Sequence, residues 1–545
     1  MPGQDAEAVA DSERTASGEA GTTTSQKVSR TGLLSGRLGF LECVLAVTLG
    51  LLVLAVHDVG YILRHSYWVD EAWVAAMSRY PVSALRATTS STPIGFSFLV
   101  RLVTVPGTQS ARLLPLAFAG AAVVVAYWLG RGLGWQHRWA AVTAAFLAAV
   151  AVLMVPGMLV RDDLKQYTAE AFTALLTIAL TSRLERDWSW RWLGALSVSI
   201  WVGMLLSDAV LFVGVAAFVA VCLVQLAKRS WRRFWQATVV GAGTAVLMLG
   251  VYKVFDAAAQ QRLNASTYWA GYFVPVSRGP HAILHFLAQN FDSVRAFFGL
   301  GPTWLAILLM IAGIVTLAWQ RRPATALAVA ALWVELFVLS GLHKYPFLNL
   351  RVYAFMFALM AAVAAIGVAG ICLALRPWLR AGVAVVAAAA LAGFIWGAMP
   401  HVRSHPIPGE DIRQQTHYVE RHAAPDDVIA VSLDSNWGFA YYWRDGDPAR
   451  RTDGAVKQDY VAYFPNQPRI VVASARDLPG VREVLSQSLA EARQHACTRI
   501  WLVRTHIIAS EQAAWNQALS QAKLKAVGVG PGGLSYIQLG GAGCS

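Results

Sequence analysis

The sequence predicts a mainly α-helical polytopic membrane protein, with about eleven transmembrane helices, outer juxtamembrane helices and a C-terminal extracytoplasmic α/β domain. Three observations predict it. Of 545 residues, 56% are hydrophobic and only 14% charged, whereas a soluble globular chain carries about 25% charged residues. The apolar residues come in blocks such as 41–63 and 113–129, long enough to cross a hydrocarbon core of about 30 Å. After Pro400 the pattern changes to short apolar runs alternating with polar helical stretches, which reads as α/β.

The formal charge of +13 is distributed as topology. Arg131 and Arg138; Arg183, Arg186 and Arg191; Lys228, Arg229, Arg232 and Arg233; Arg321 and Arg322; Arg376 and Arg380 all lie in short connectors. That is the positive-inside pattern, with lipid headgroups as the partners and no nucleic acid.

Along the chain, residues 1–38 read as a disordered cytoplasmic tail, rich in Ser, Thr, Gly, Ala and Glu before residue 30. The apolar run from Phe40 exceeds the h-region of a cleavable signal, so it is expected to remain as a first span at 39–63. The outer loop that follows holds Asp70-Glu71 and the amphipathic stretch 72–85. Segment 92–105 is apolar but short and contains Pro93, Gly95 and Arg101, so it is placed as a helix lying near the outer surface.

That placement fixes the parity downstream. Spans at 111–131, 139–160, 164–183, 192–206, 208–227, 236–255, 302–320, 324–342, 350–374 and 380–399 then put every Arg-rich connector inside. Four polar segments fall outside: the Asp70 loop, 161–170, a long loop at 256–300, and 343–351. Residues 39–400 form the membrane domain. Residues 401–545 form the outer α/β domain, with strands at 427–433, 469–473 and 499–503 and helices at 409–423, 478–495 and 509–523. Cys43, Cys222 and Cys372 lie in spans as packing residues. Cys497 and Cys544 are able to pair if their domain faces an oxidising compartment.

An ionisable residue at membrane depth is costly and so invites a functional reading. Asp70 and Glu71 open an amphipathic helix, where a helix cap is the competing explanation. In the strip Arg161-Asp162-Asp163-Leu164-Lys165-Gln166-Tyr167-Thr168-Ala169-Glu170, a solvated cap accounts for Asp162 and Asp163 but not for Glu170, a turn into the next apolar segment. Lys344, Tyr345 and Arg351 place two outer cations against the charge rule. Headgroup snorkelling explains them, and so does an anion site suited to a lipid phosphate. Combined, the strips describe a reaction in which a carboxylate takes the proton of an acceptor hydroxyl. Cations offset the charge on a phosphate leaving from a sugar carbon.

On Asp70-Glu71, Thr92-Pro93-Ile94-Gly95-Phe96-Ser97, Ala111-Arg112-Leu113-Leu114-Pro115, residues 161–172 and Lys344-Tyr345-Pro346-Phe347 with Arg351, the chain resembles the C-type superfamily of integral-membrane glycosyltransferases. It looks most similar to the bacterial branch related to protein O-mannosyltransferases and lipid A aminoarabinose transferases. The resemblance covers residues 1–400. It implies a catalytic base at Asp70, with Glu71 positioning the acceptor or the base, and a second acidic motif at Asp162, Asp163 and Glu170. It further implies donor-phosphate contacts from Arg161, Lys165, Tyr167, Lys344, Tyr345 and Arg351. The donor implied is a polyprenyl-phosphate monosaccharide, and the acceptor an extracytoplasmic glycan, lipid or protein. The expected location is a bacterial plasma membrane. Relatives that transfer oligosaccharides use a divalent ion, whereas simpler monosaccharide transferases often do not; Asp70, Asp162 and Asp163 offer oxygen ligands suited to Mg²⁺ or Mn²⁺. Where relatives often carry His-Pro-Pro or Lys-Pro, this chain has Ser91-Thr92-Pro93-Ile94-Gly95, so a phosphate or sugar contact from that strip is not carried over from the resemblance. A secondary transporter or flippase, or a non-catalytic scaffold, are the competing classes; the absence of an internal repeat and the rim placement of the charges weigh against the transporter.

Overall fold

The computed structural model describes residues 37–81, 92–155, 164–256, 269–298, 303–374, 399–400, 402, 410–444, 449–451, 461–494 and 498–539. By compactness the chain divides into Met1–Val44 and Leu45–Ser545. The first unit contributes only the opening turns of α1 (Arg37–Leu51). Everything below concerns the second.

Membrane-type helices make up most of it. They are α4 (Leu113–Gly132), α5 (Arg138–Leu153), α6 (Tyr167–Arg186), α7 (Trp190–Met204), α8 (Val210–Ala227), α9 (Trp231–Val251), α11 (Thr303–Trp319), α12 (Pro323–Gly341) and α13 (Ala354–Ala374). With α1, a helix stands at each of the first ten expected spans; the eleventh, 380–399, falls almost wholly outside the described residues. Among the described residues, six stretches are long and apolar enough to cross a membrane: Gly39–Val56, Ser110–Gly132, Val210–Ala227, Trp231–Phe255, Pro323–Gly341 and Ala354–Ala374. The short apolar segment before α4 is α3 (Ile94–Val103). At about 1.5 Å per residue a ten-residue helix falls well short of a bilayer, as the charge parity required.

Small residues set the helix spacing. In α5, Ala140, Ala141, Ala144, Ala145, Ala148 and Ala149 are all buried, and a Cβ on Gly130 of α4 would sit 2.7 Å from the Ala144 carbonyl oxygen. A Cβ on Gly367 of α13 would approach the Gly313 nitrogen of α11 to 2.6 Å. Between apolar helices in lipid, such close backbone approach is the main source of packing. The opposite case is α9, where Val239, Val246, Leu247 and Leu249 are exposed, the surface expected where lipid is the neighbour.

All seven strands among the described residues lie between Val428 and Gln538. They are β1 (Val428–Val431), β2 (Ala449–Arg451), β3 (Val461–Tyr463), β4 (Ile470–Val472), β5 (Arg499–Val503), β6 (Ala526–Gly528) and β7 (Ser535–Gln538). The main sheet has the order β4-β1-β5-β7-β6. Strands β4, β1 and β5 are parallel, with Ile429 opposite Ile470 and Trp501, and β7 is antiparallel to β5 and β6. The three parallel strands and the helices α14 (Ile412–His422), α16 (Leu478–Ala492) and α17 (Ala509–Gln521) stand where the sequence placed them. The hairpin β6–β7 and the short helix α15 (Asn436–Tyr442) were not foreseen.

Every residue of β1 is buried, as a central parallel strand covered on both faces should be. Val428 and Ala430 pack with Val481, Val484 and Trp515 of α16 and α17. Ile429 and Val431 share a core with Trp437 and Phe439 of α15 and with Val69, Ala72 and Ala76. Those last three belong to α2 (Val69–Met77), the helix that carries Asp70. The sheet of the C-terminal region is therefore built directly onto that helix. The expected outer loop at 256–300 departs from expectation, since it contains α10, a 19-residue helix at Pro280–Phe298 whose apolar residues recur at helical spacing.

Candidate active site

Helix α2 begins where Tyr67 leaves the first outer loop, and it is held by its own acids. Glu71 is fully buried and pairs with Arg112 at both nitrogens, Nη2 to Oε2 at 2.5 Å and Nε to Oε1 at 2.9 Å. Bidentate guanidinium–carboxylate pairing is strong and geometrically exact in its demands. Glu71 also accepts from the backbone N–H of Leu164 at 3.1 Å and of Trp68 at 3.3 Å. Arg112 donates in addition to the carbonyls of Ile62, His65 at 2.7 Å and Ser66 at 3.3 Å, and lies over the Tyr67 ring. Glu71 thus ties together the outer loop, the start of α4 and the start of α6. With its oxygens used in this way and no exposure, it fixes the start of α2 beside Asp70.

Asp70, on the neighbouring face, reaches partly into solvent. Its Oδ2 accepts from Arg351 Nη2 at 2.5 Å. The Arg351 guanidinium lies over the rings of Trp68 at 5.0 Å and Tyr167 at 5.9 Å. Lys165, almost fully buried, has its ammonium 5.8 Å from the Trp73 ring centre. Burial pushes the Asp70 carboxyl's pKa up, but the charges of Lys165 and Arg351 outweigh it, and His506 adds to them, so the carboxylate is held below its ordinary range. One acid, two strong cations and three aromatic faces therefore meet at one place, contributed by three strips far apart in sequence.

The other expected site residues are distributed differently. Glu170 is buried one turn into α6, beside Gln166 and within electrostatic reach of Asp208. The Tyr345 hydroxyl donates to the Val352 carbonyl at 2.8 Å, and its ring packs edge-on to Phe212. Lys344 is exposed, and among the described residues nothing pairs with it. Arg161, Asp162 and Asp163 lie outside the described residues, as do Cys497 and Cys544. Among the described residues no cluster of three or more His, Cys, Asp or Glu is placed to hold a metal ion. Of the three expected oxygen ligands only Asp70 is among the described residues, with its Oδ2 taken by Arg351.

Sequence reasoning missed what the C-terminal region contributes. Tyr442 Oη accepts from the Tyr67 N–H and from Gln109 Nε2, both at 2.9 Å. Trp437 stacks on Trp73 at 5.1 Å, and Arg79 Nη1 donates to the Ala440 carbonyl at 2.6 Å. Arg413 bridges Gln109 Oε1 at 3.1 Å and the Arg64 carbonyl at 2.6 Å. These contacts seat the carboxyl ends of the parallel strands toward the Asp70 helix. The same edge opens a cavity of about 510 Å³ between the starts of α16 and α17, lined by Leu433, Arg476, Asp477, Ser510 and Gln517 among others. No local signal marks these residues, because each acts only after the sheet has formed. Helix α3 is fixed in turn by the approach of Gly95 to the Leu205 carbonyl, 2.6 Å from a built Cβ, and by Arg101 donating to the Ser78 carbonyl at 2.8 Å.

No protein-family model matches the chain, and a search of curated proteins gives no match. Among solved structures, the oligosaccharyltransferase of Archaeoglobus fulgidus in complex with Zn and sulfate is similar at TM-score 0.49 and 14% identity, over 85% of this chain and 67% of that one. The archaeal oligosaccharyltransferase AglB from the same organism, in complex with an inhibitory peptide and a dolichol-phosphate, is similar at 0.48 and 12%, over 91% and 74%. ArnT from Cupriavidus metallidurans in the apo state is similar at 0.49 and 14%, over 92% and 98%. At these scores the likenesses are recorded as such, and the chemistry of the site rests on its own geometry.

Proposed function

We propose that the chain is an integral-membrane glycosyltransferase of the C-type superfamily. It moves a monosaccharide from a polyprenyl-phosphate donor to an extracytoplasmic glycan, lipid or protein, with Asp70 as general base. The single observation that carries this reading is the Asp70 carboxylate set against Arg351 and Lys165 at the rim of the helix bundle, beneath the α/β domain. The charge rule puts this rim outside, the N-terminus in the cytoplasm and a domain boundary near residue 400. Nucleotide sugars are not expected on that side, which leaves a lipid-linked donor.

The acceptor hydroxyl approaches Asp70, and its oxygen forms the bond to the anomeric carbon from the face opposite the phosphate. The carbon–oxygen bond to the phosphate breaks, and its electron pair leaves on the polyprenyl phosphate. Configuration is inverted, and the hydroxyl proton passes to Asp70. A carboxylate held at low pKa stays ionised but is a weak base, so its work is to orient the hydroxyl and accept its proton as the new bond forms. Arg351 and Lys165 offset the charge gathering on the phosphate. Glu71 positions Asp70 through α2.

The test is transfer of labelled sugar from polyprenyl-phosphate carriers in washed membranes. Asp70→Asn is expected to abolish transfer while the protein still inserts and folds. Solute uptake into vesicles without any transfer product would support a transporter instead.

A further inference from the structure

Three cations surround Asp70, and the third comes from the α/β domain. His506 lies in the turn after β5, on the edge that faces α2, with a left-handed backbone at φ 54°. A residue with a Cβ adopts that conformation at a cost, so the surrounding structure holds the ring where it is. Its Nδ1 hydrogen-bonds Glu410 Oε1 at 2.7 Å, and its ring lies 6.2 Å from that of Trp68, two residues before Asp70. Glu410 is fixed in turn: its carbonyl accepts from Ser66 Oγ, and the Val69 N–H at the start of α2 stabilises its carboxylate. With Nδ1 committed, Nε2 has no partner among the described residues, and the side chain is 38% exposed. A carboxylate on one ring nitrogen fixes the tautomer and aims the other.

Sidedness distinguishes this cation from the other two. Lys165 and Arg351 belong to strips at the ends of membrane helices, where a lipid-borne phosphate arrives. His506 belongs to the water-facing domain, and Asp70 lies between. We propose that His506, oriented by Glu410, is an acceptor-positioning residue: its Nε2–H donates to an oxygen of a hydroxyl-bearing acceptor next to the hydroxyl that Asp70 receives. This rests on the glycosyl-transfer reading above. The groups facing the ring are Glu410, Asp434 after β1, and Asp70 and Trp68 at the start of α2, with Arg351 behind Trp68. The Glu410 hydrogen bond raises the imidazole's pKa, burial opposes the rise, and the charges of Glu410, Asp434 and Asp70 add to it. The charged imidazolium is therefore favoured over that of a free imidazole, and it is lost as pH climbs through the raised value.

The experiment uses the full-length protein in lipid nanodiscs, with a donor and acceptor that support transfer. H506Q should raise the acceptor KM about 10- to 100-fold, the worth of a hydrogen bond to a charged group, and leave the donor KM unchanged. In the unmodified protein the acceptor KM should rise on the alkaline side; in H506Q that limb should be flat. E410Q, which leaves the imidazole in place, should move the limb to lower pH, and it serves as the probe if H506Q does not fold. An unchanged acceptor KM in both variants, or an effect on the donor KM alone, overturns the assignment. If D70N abolishes transfer while H506Q behaves as wild type, the glycosyl-transfer reading stands and this inference falls. Absence of transfer by the unmodified protein overturns both.

Discussion

At the scale of single residues, two adjacent acids do opposite jobs. Asp70 and Glu71 are neighbours on one helix, yet Glu71 is sealed against Arg112 and Asp70 opens toward solvent between cations. Breaking a buried pair by removing one partner leaves an uncompensated charge and costs about 3–5 kcal/mol. Arg112→Ala should therefore lower the thermal unfolding midpoint in detergent sharply, and a shift of under about 1 kcal/mol would show that the pair is not buried in solution. Asp70 gives a prediction with a sign. Its folded pKa is depressed, so its contribution to stability is present above the carboxylate's ordinary pKa and is lost as pH falls through the folded value. The stability difference between the unmodified protein and Arg351→Ala should accordingly shrink on acidification, followed as melting midpoints from neutral to acidic pH. The acids of the first outer loop and Arg351 were legible because charge at the rim of a span needs a reason. The seal around Glu71 was not, since Arg112 reads as an ordinary start to a helix. The Tyr345 hydrogen bond to the Val352 carbonyl, seven residues on, was equally illegible, since it depends on how the late outer loop folds back.

At the scale of elements, helices were read from apolar block length and sidedness from where arginines sit, and both signals are additive along the chain. What the sequence could not convey is which faces meet. The crossing of α11 and α13 depends on Gly313 and Gly367, where an added Cβ has no room, whereas Gly243 of α9 has nothing within 4 Å. Gly367→Leu should reduce the yield of folded protein and its melting temperature, while Gly243→Leu leaves both near wild type. Comparable losses from the two would mean that the crossing is not the cause. Helix α10 went unread for a related reason: its alternation of His, Gln and Asn with apolar residues suits a surface helix, but within a polar stretch it resembles loop composition. The β6–β7 hairpin, with only three and four residues per strand, is too short for periodicity to declare it.

At the scale of the whole molecule, the α/β domain is seated on α2 through Tyr442, Trp437 and the Arg79 bond to the Ala440 carbonyl, and it brings His506 to the rim. Stacked aromatic pairs contribute about 0.5–1.5 kcal/mol beyond the area they bury. Trp437→Ala combined with Tyr442→Phe should speed amide hydrogen exchange across residues 67–77 without altering exchange in α5. Equal protection would mean that the helix is held by the membrane domain alone. The positions of the three parallel strands were recoverable from short apolar runs, but their order in the sheet and which edge faces the site follow only from contacts between residues far apart in the chain. The account as a whole depends on Asp70, Lys165 and Arg351 meeting on the extracytoplasmic face. The most direct measurement is labelling of single-cysteine variants in intact cells with a membrane-impermeant maleimide, using the exposed position Lys344→Cys with Arg186→Cys as its opposite. The account predicts that Lys344→Cys is labelled from outside and Arg186→Cys only after permeabilisation. The reverse pattern would place the carboxylate and its cations in the cytoplasm and contradict it.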